Sequence, residues 1–191
     1  HVGGSPDALE KIKSLKSQGF TDIDEISQGR YFQRLANRVA PHSTYTDMER
    51  VTRAVNDKGL TTSTVPSVWH FEDAPTSTNP VQSSVKVAYG GSYSVAWNYN
   101  PERHVYVRQM GSRIQKERDG DMIEASNVIL IKTDARVLDE KGRLSLRTTG
   151  GGEAMIYRNG RKYIGRWQRS KGEPMRFEGQ DGTEFLLNRG K

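Results

Sequence analysis

At 191 residues the chain can form one large domain or two small ones, and either arrangement can bury a core. It has no cysteine, which excludes disulfides, thiolate metal sites and cysteine nucleophiles. No apolar run approaches the roughly 18 residues of a membrane helix. The net charge of +6 is uneven: residues 1–75 carry 9 Lys+Arg against 10 Asp+Glu, whereas residues 76–191 carry 20 against 13.

Acids are interleaved with that excess, as in Lys116-Glu117-Arg118-Asp119, so the basic half reads as a mixed, solvated surface. Nucleic acid is therefore not the expected partner, although a polyanion face on this half is a further alternative. Nineteen glycines and a mean hydropathy of −0.78 suit a chain rich in strands and turns.

In chain order, His1 and Val2 read as the end of a strand that turns at Gly3-Gly4 into a helix. Ser5 is its expected N-cap and Pro6 its first helical residue. Leu9, Ile12 and Leu15 give that helix an apolar stripe over residues 6–17, and Gly19 closes it. A second helix is expected over 47–57, started by a capping box of Thr46 and Glu49 and burying Met48, Val51 and Val55.

Between the helices, Arg34, Arg38, His42, Ser43 and Tyr45 concentrate cations and hydroxyls beside a helix start, whose partial positive charge favours an anion. The plainer alternative is that the arginines pair with carboxylates inside the fold. A histidine-dependent hydrolase or metal enzyme built on His1 and His42 would need a carboxylate brought in by the fold. No residue pattern calls for a metal or cofactor, and none is expected.

Val65–Phe71 is a strand candidate, and the Pro-bearing stretch 72–80 is the expected connector, with domains over 1–75 and 76–191. Val85 to Tyr99 alternates apolar and polar residues around Gly90-Gly91, as a hairpin does. Asn127–Ile131 is a continuous apolar strand, and Asn159-Gly160 and Asp181-Gly182 are two-residue hairpin signals. Gly150-Gly151-Gly152 reads as a flexible loop, and Trp167 with Arg166 and Arg169 as a possible stacking surface. The fold class is α+β: an incomplete α/β N-terminal domain followed by a mainly antiparallel β domain.

Several stretches occur together in order: Val2-Gly3-Gly4-Ser5-Pro6, Arg38 to Thr46, Tyr99-Asn100-Pro101, Asn127-Val128, Gly150 to Ala154, Asn159-Gly160, Gly165-Arg166-Trp167 and Asn188 to Lys191. This combination resembles the YerB family of bacterial lipoproteins, a family of unknown function. The resemblance implies an extracytoplasmic protein of Gram-positive-type bacteria, anchored by a lipid upstream of a fragment that lacks the first part of its N-terminal domain. It also implies a shared pocket at His1, Arg38, His42 and Tyr45. The expected function is a non-catalytic binding module for a polar or anionic envelope ligand held by His1, Arg34, Arg38, His42, Ser43 and Tyr45.

Overall fold

The structure is a computed structural model that describes residues 1–40, 42–61, 68–75, 79, 84–90 and 93–190. The chain divides into two compact units, His1–Val65 and Pro66–Lys191.

In the first unit, α1 (Pro6–Lys16) starts with proline in its first turn, places Asp7 near its N-terminus and Lys13 and Lys16 near its C-terminus. Ser5 has the extended backbone of a cap, but its side chain makes no capping bond. The amide of Phe20 returns to the carbonyl of Leu15 (3.1 Å), and Gly19, at φ +88°, supplies the left-handed turn that ends the helix. The short strands β1 (Gln33–Arg34) and β2 (Thr44–Tyr45) pair antiparallel.

The second helix, α2 (Met48–Asp57), is capped by Asp47 rather than Thr46, because the Asp47 carboxylate accepts the Arg50 amide at 2.9 Å. The Thr46 hydroxyl is committed elsewhere, donating to the Tyr31 carbonyl at 2.8 Å. Tyr31, fully buried in the 3-10 turn Gly29–Tyr31, donates its hydroxyl to Asp57 at 2.9 Å. This turn packs on the face of α2 that carries Ala54, which is fully buried. Of the expected stripe, Met48 is 75% exposed and Val51 is exposed, while Val55 is half-buried. The α/β expectation for this part is not met among the described residues: its strand pair is antiparallel, and His1 and Val2 form no strand.

The second unit is built from strands. They are β3 (Phe71–Glu72), β4 (Ser84–Gly90), β5 (Tyr93–Asn100), β6 (Val105–Met110), β7 (Arg113–Ile114), β8 (Glu124–Ala125), β9 (Asn127–Ile131), β10 (Ala135–Val137), β11 (Leu144–Leu146), β12 (Gly150–Arg158), β13 (Arg161–Arg169), β14 (Arg176–Gly179) and β15 (Leu187–Asn188). One sheet runs β4-β5-β6-β7 with β8 also on β6, and a four-stranded sheet runs β14-β13-β12-β9. These pairings are antiparallel, as expected from the turn spacing. The one parallel pair among the described strands is β3 with β15, so Phe71 and Glu72, assigned to the N-terminal part from sequence, pair within the second unit. Gly91, in the expected Gly90-Gly91 turn, and Val65 to Ser67, at the start of the expected strand, lie outside the described residues.

β12 is buried on both faces. Met155 and Tyr157 belong with Val85, Tyr99, Tyr106 and Val128 on one side, and Ala154 and Ile156 with Trp167, Phe177 and Leu187 on the other. Trp167 is fully buried, with its indole N–H donating to the Lys132 carbonyl at 3.0 Å. Gly150–Gly152 are part of β12 rather than a loop, and Trp167 explains why. A Cβ at Gly152 would lie 2.7 Å from the indole nitrogen and 2.7 Å from the Lys132 carbonyl. The indole thus occupies the space a side chain would need. With no exposed ring, the expected stacking surface at Trp167 does not exist.

The C-terminus is held by amides. The Asn188 amide donates to the Asn127 side chain at 2.8 Å, Asn127 Nδ2 returns to the Asn188 carbonyl at 2.9 Å, and Asn188 exchanges side-chain bonds with Asn159 at 2.5 and 3.3 Å. Asn188 and Asn159 are buried, so these groups have exchanged water for one another. Asn159 and Gly160 have φ of +51° and +64°, as the two-residue turn of a β12–β13 hairpin requires.

Two substitutions test this packing. Gly152→Ala is expected to lower stability by about 1–3 kcal/mol through overpacking against the indole, measured by denaturant unfolding. Asn188→Ala is expected to cost about 1–3 kcal/mol, because it strands the buried Asn159 side-chain amide while leaving the main-chain bonds to Asn127 in place, and thermal unfolding should show it as a lowered Tm.

Candidate functional site

The six N-terminal candidates fall into three situations. His1 is engaged at every polar end: its main-chain nitrogen donates to the Ile23 carbonyl at 2.6 Å, Nδ1 lies 2.8 Å from the Gly3 carbonyl, and Nε2 is 3.2 Å from Asp22. Asp22, whose side chain is 6% exposed, also takes Lys16 at 2.8 Å. Arg34 pairs with Glu25, which is reached as well by the Thr44 hydroxyl at 3.4 Å. The Glu25 amide in turn donates to the His1 carbonyl at 3.2 Å. His1 and Arg34 are therefore drawn to the same segment, Asp22 to Glu25, but each meets a carboxylate there.

Ser43 is buried and its carbonyl accepts the Leu35 amide at 2.8 Å, while Tyr45 sits half-buried opposite Gln33 in the β1–β2 pair. Arg38 and His42 lie in the connection between those strands, both exposed, and neither side chain has a partner among the described residues. Of the six, then, these two are the exposed residues without a described side-chain partner. Among the described residues no three His, Asp or Glu side chains are grouped to hold a metal ion.

A different cluster appears on the second unit. Side chains alternate across a strand, so the face of the four-stranded sheet that carries Tyr157 and Met155 continues through Glu153 and Gly151 on β12, Arg166 and Gln168 on β13, and Arg176 and Glu178 on β14. Where this face meets the other sheet it is apolar, with Val128, Leu130, Met155 and Tyr157 packed against Tyr99 and Tyr106. Burial holds the Tyr106 phenol well above its ordinary range, in keeping with a dry interface. Toward Gly151 the face turns polar and opens into a cleft of about 470 Å³.

The cleft wall includes Arg166, Gln168, Arg169, Ser170, Glu173 and Arg176, with Gly150 and Gly151 along its β12 side. Gly151 stands opposite Gln168 in the register and contributes no side chain, which leaves room there. Its backbone is fixed from behind: Arg147 bridges Asp134 at 2.7 Å, donates to the Thr149 and Gly151 carbonyls at 3.1 Å each, and lies 5.4 Å from the Trp167 ring. Arg176 faces Gln168 while Arg166 faces Glu178, so the two arginines are diagonal neighbours on adjacent strands. Diagonal Cβ atoms lie within about 7–8 Å, a span that two guanidinium groups can close around one oxyanion.

The electrostatics are mixed rather than uniformly basic. Gln168 donates to Glu178 at 2.9 Å and Arg169 Nε donates to the Glu173 carbonyl at 2.9 Å. Arg166 lies between Glu153 and Glu178 in the register, yet neither it nor Arg176 has an ion-pair or hydrogen-bond partner among the described residues. Of this cluster the sequence reading singled out Arg166 and Arg169, but as companions of an exposed Trp167. It missed Gln168, Ser170, Glu173 and Arg176. The available signal was alternation: Arg166 and Gln168 flank Trp167, so a buried indole turns both to the opposite face.

Comparison with known proteins agrees with this architecture. Residues 1–61 match the N-terminal domain, and residues 85–191 the C-terminal domain, of a family described as protein of unknown function (DUF3048). The chain is 25% identical over 180 residues to the Bacillus subtilis (strain 168) protein named "Putative lipoprotein YerB", covering 90% of this chain. It spans about half of that relative, 53% of its length. The crystal structure of the Bacillus subtilis YerB protein is similar in fold, with a TM-score of 0.83 at 23% identity, covering 100% of this chain and 64% of that one. Matched over more than half its length, the chain belongs to the DUF3048 family, and its similarity to YerB agrees with the resemblance read from its motifs.

Proposed function

We propose that the chain is a non-catalytic binding module of an extracytoplasmic, lipid-anchored protein, taking a polar or anionic ligand of the cell envelope. The location rests on the relative named as a lipoprotein, since no helix among the described residues is long and apolar enough to cross a membrane. The binding role rests on one observation. Arg166 and Arg176, without ion-pair or hydrogen-bond partners among the described residues, stand as diagonal neighbours in an open cleft on the sheet. Sites on strands hold their geometry better than sites on loops.

The N-terminal set supports the same chemistry less well. Arg34 is neutralised by Glu25, and both ring nitrogens of His1 are engaged, which leaves little for a hydrolase or metal mechanism to use. Arg38 and His42, exposed and without described partners, are an alternative location for anion binding.

Calorimetric titration with inorganic phosphate, citrate and a soluble poly(glycerol phosphate) tests the reading. Arg166→Ala/Arg176→Ala is expected to weaken binding by about tenfold or more, while Arg38→Ala/His42→Ala leaves it unchanged. The opposite pattern would move the site to the β1–β2 connection. No binding by the unaltered protein would overturn the proposal.

A further inference from the structure

The cleft contains an acid that an anion site does not need. Glu173 shares the wall with three arginines, yet its carboxylate makes no ion pair or hydrogen bond with a described residue. Its backbone, by contrast, is fixed twice: its amide donates to the Ser170 carbonyl at 3.1 Å, and its own carbonyl accepts Arg169 Nε at 2.9 Å. Gly172, at φ +86°, allows the tight turn from Ser170 to Glu173. The other acids near the arginines differ from it. Glu178 is engaged by Gln168, and Glu153 lies on β12 outside the cleft wall.

A carboxylate placed this way lowers the affinity of the cleft for a simple anion, through like-charge repulsion. It raises affinity for a ligand that carries a cation beside its anion. We propose that the cleft selects a zwitterion, with Arg166 and Arg176 holding a carboxylate or phosphate and Glu173 receiving an ammonium group of the same molecule. This inference rests on the cleft being the binding site, as proposed above, and adds its selectivity. Arg169 is the positioning residue, because its Nε bond to the Glu173 carbonyl holds the Ser170–Glu173 turn.

Paired probes that differ only in the amine separate selectivity from anion binding. Alanyl-alanine is compared with N-acetyl-alanyl-alanine, and O-phosphoethanolamine with ethyl phosphate, so the two pairs also identify the preferred oxyanion. The zwitterion of the preferred pair is expected to bind roughly two- to fivefold more tightly than its amine-free partner, the contribution of one solvent-exposed ion pair. Glu173→Gln is expected to abolish that preference while leaving the amine-free probe bound at least as well. Equal binding of both members of each pair, or an equal loss for both in Glu173→Gln, overturns the zwitterion inference and leaves the anion site standing. Loss of all binding in Arg166→Ala/Arg176→Ala with the preference present in the unaltered protein supports both. Absence of binding by any probe overturns both.

Discussion

The indole of Trp167 seated on Gly152 is the contact from which the second unit is arranged. A residue of that size can be fully buried within a sheet only if the strand beside it gives up a side chain, and Gly152 does so. The indole N–H then needs an acceptor, and the Lys132 carbonyl at the end of β9 provides it, tying β13 to the strand beyond β12. Arg147 stacks over the ring and fixes the Thr149–Gly151 backbone. The cleft follows from this arrangement: with Trp167 on one face, Arg166 and Gln168 must stand on the other, beside the bare backbone of Gly151.

The charges in the two units are used differently. In the first, carboxylates at Asp22 and Glu25 absorb Lys16, His1 and Arg34, which binds the start of the chain to the β1–β2 pair and leaves little potential for a ligand. In the second, Arg166 and Arg176 stand as diagonal neighbours on adjacent strands without such partners among the described residues. The whole-chain excess of basic residues does not predict this contrast, because what matters is which cations the fold leaves unpaired.

Much of the fold was legible where local chemistry decides it. Pro6 at a helix start and Asn159-Gly160 at a hairpin are backbone requirements that hold in any surroundings, and alternation along β4 and β5 reports a sheet face directly. Features set by long-range contacts were not. Thr46 and Asp47 are both good caps, and only the carbonyl of Tyr31 decides between them. Three consecutive glycines suggest a loop until the residue opposite, Trp167, is known to fill their space. The same limit applied to the site: Arg34 in the sequence-dense stretch meets Glu25, whereas Arg166 and Arg176 come together by register between strands and Glu173 joins them from the turn that follows β13.

The central claim, that the uncovered end of the four-stranded sheet is where a ligand binds, is tested most directly by following arginine side-chain N–H resonances in NMR during a phosphate titration. The account predicts saturable shifts of the Nε–H signals of Arg166 and Arg176, with Arg38 unaffected. Shifts confined to Arg38, or no saturable shift at Arg166 and Arg176, would contradict it.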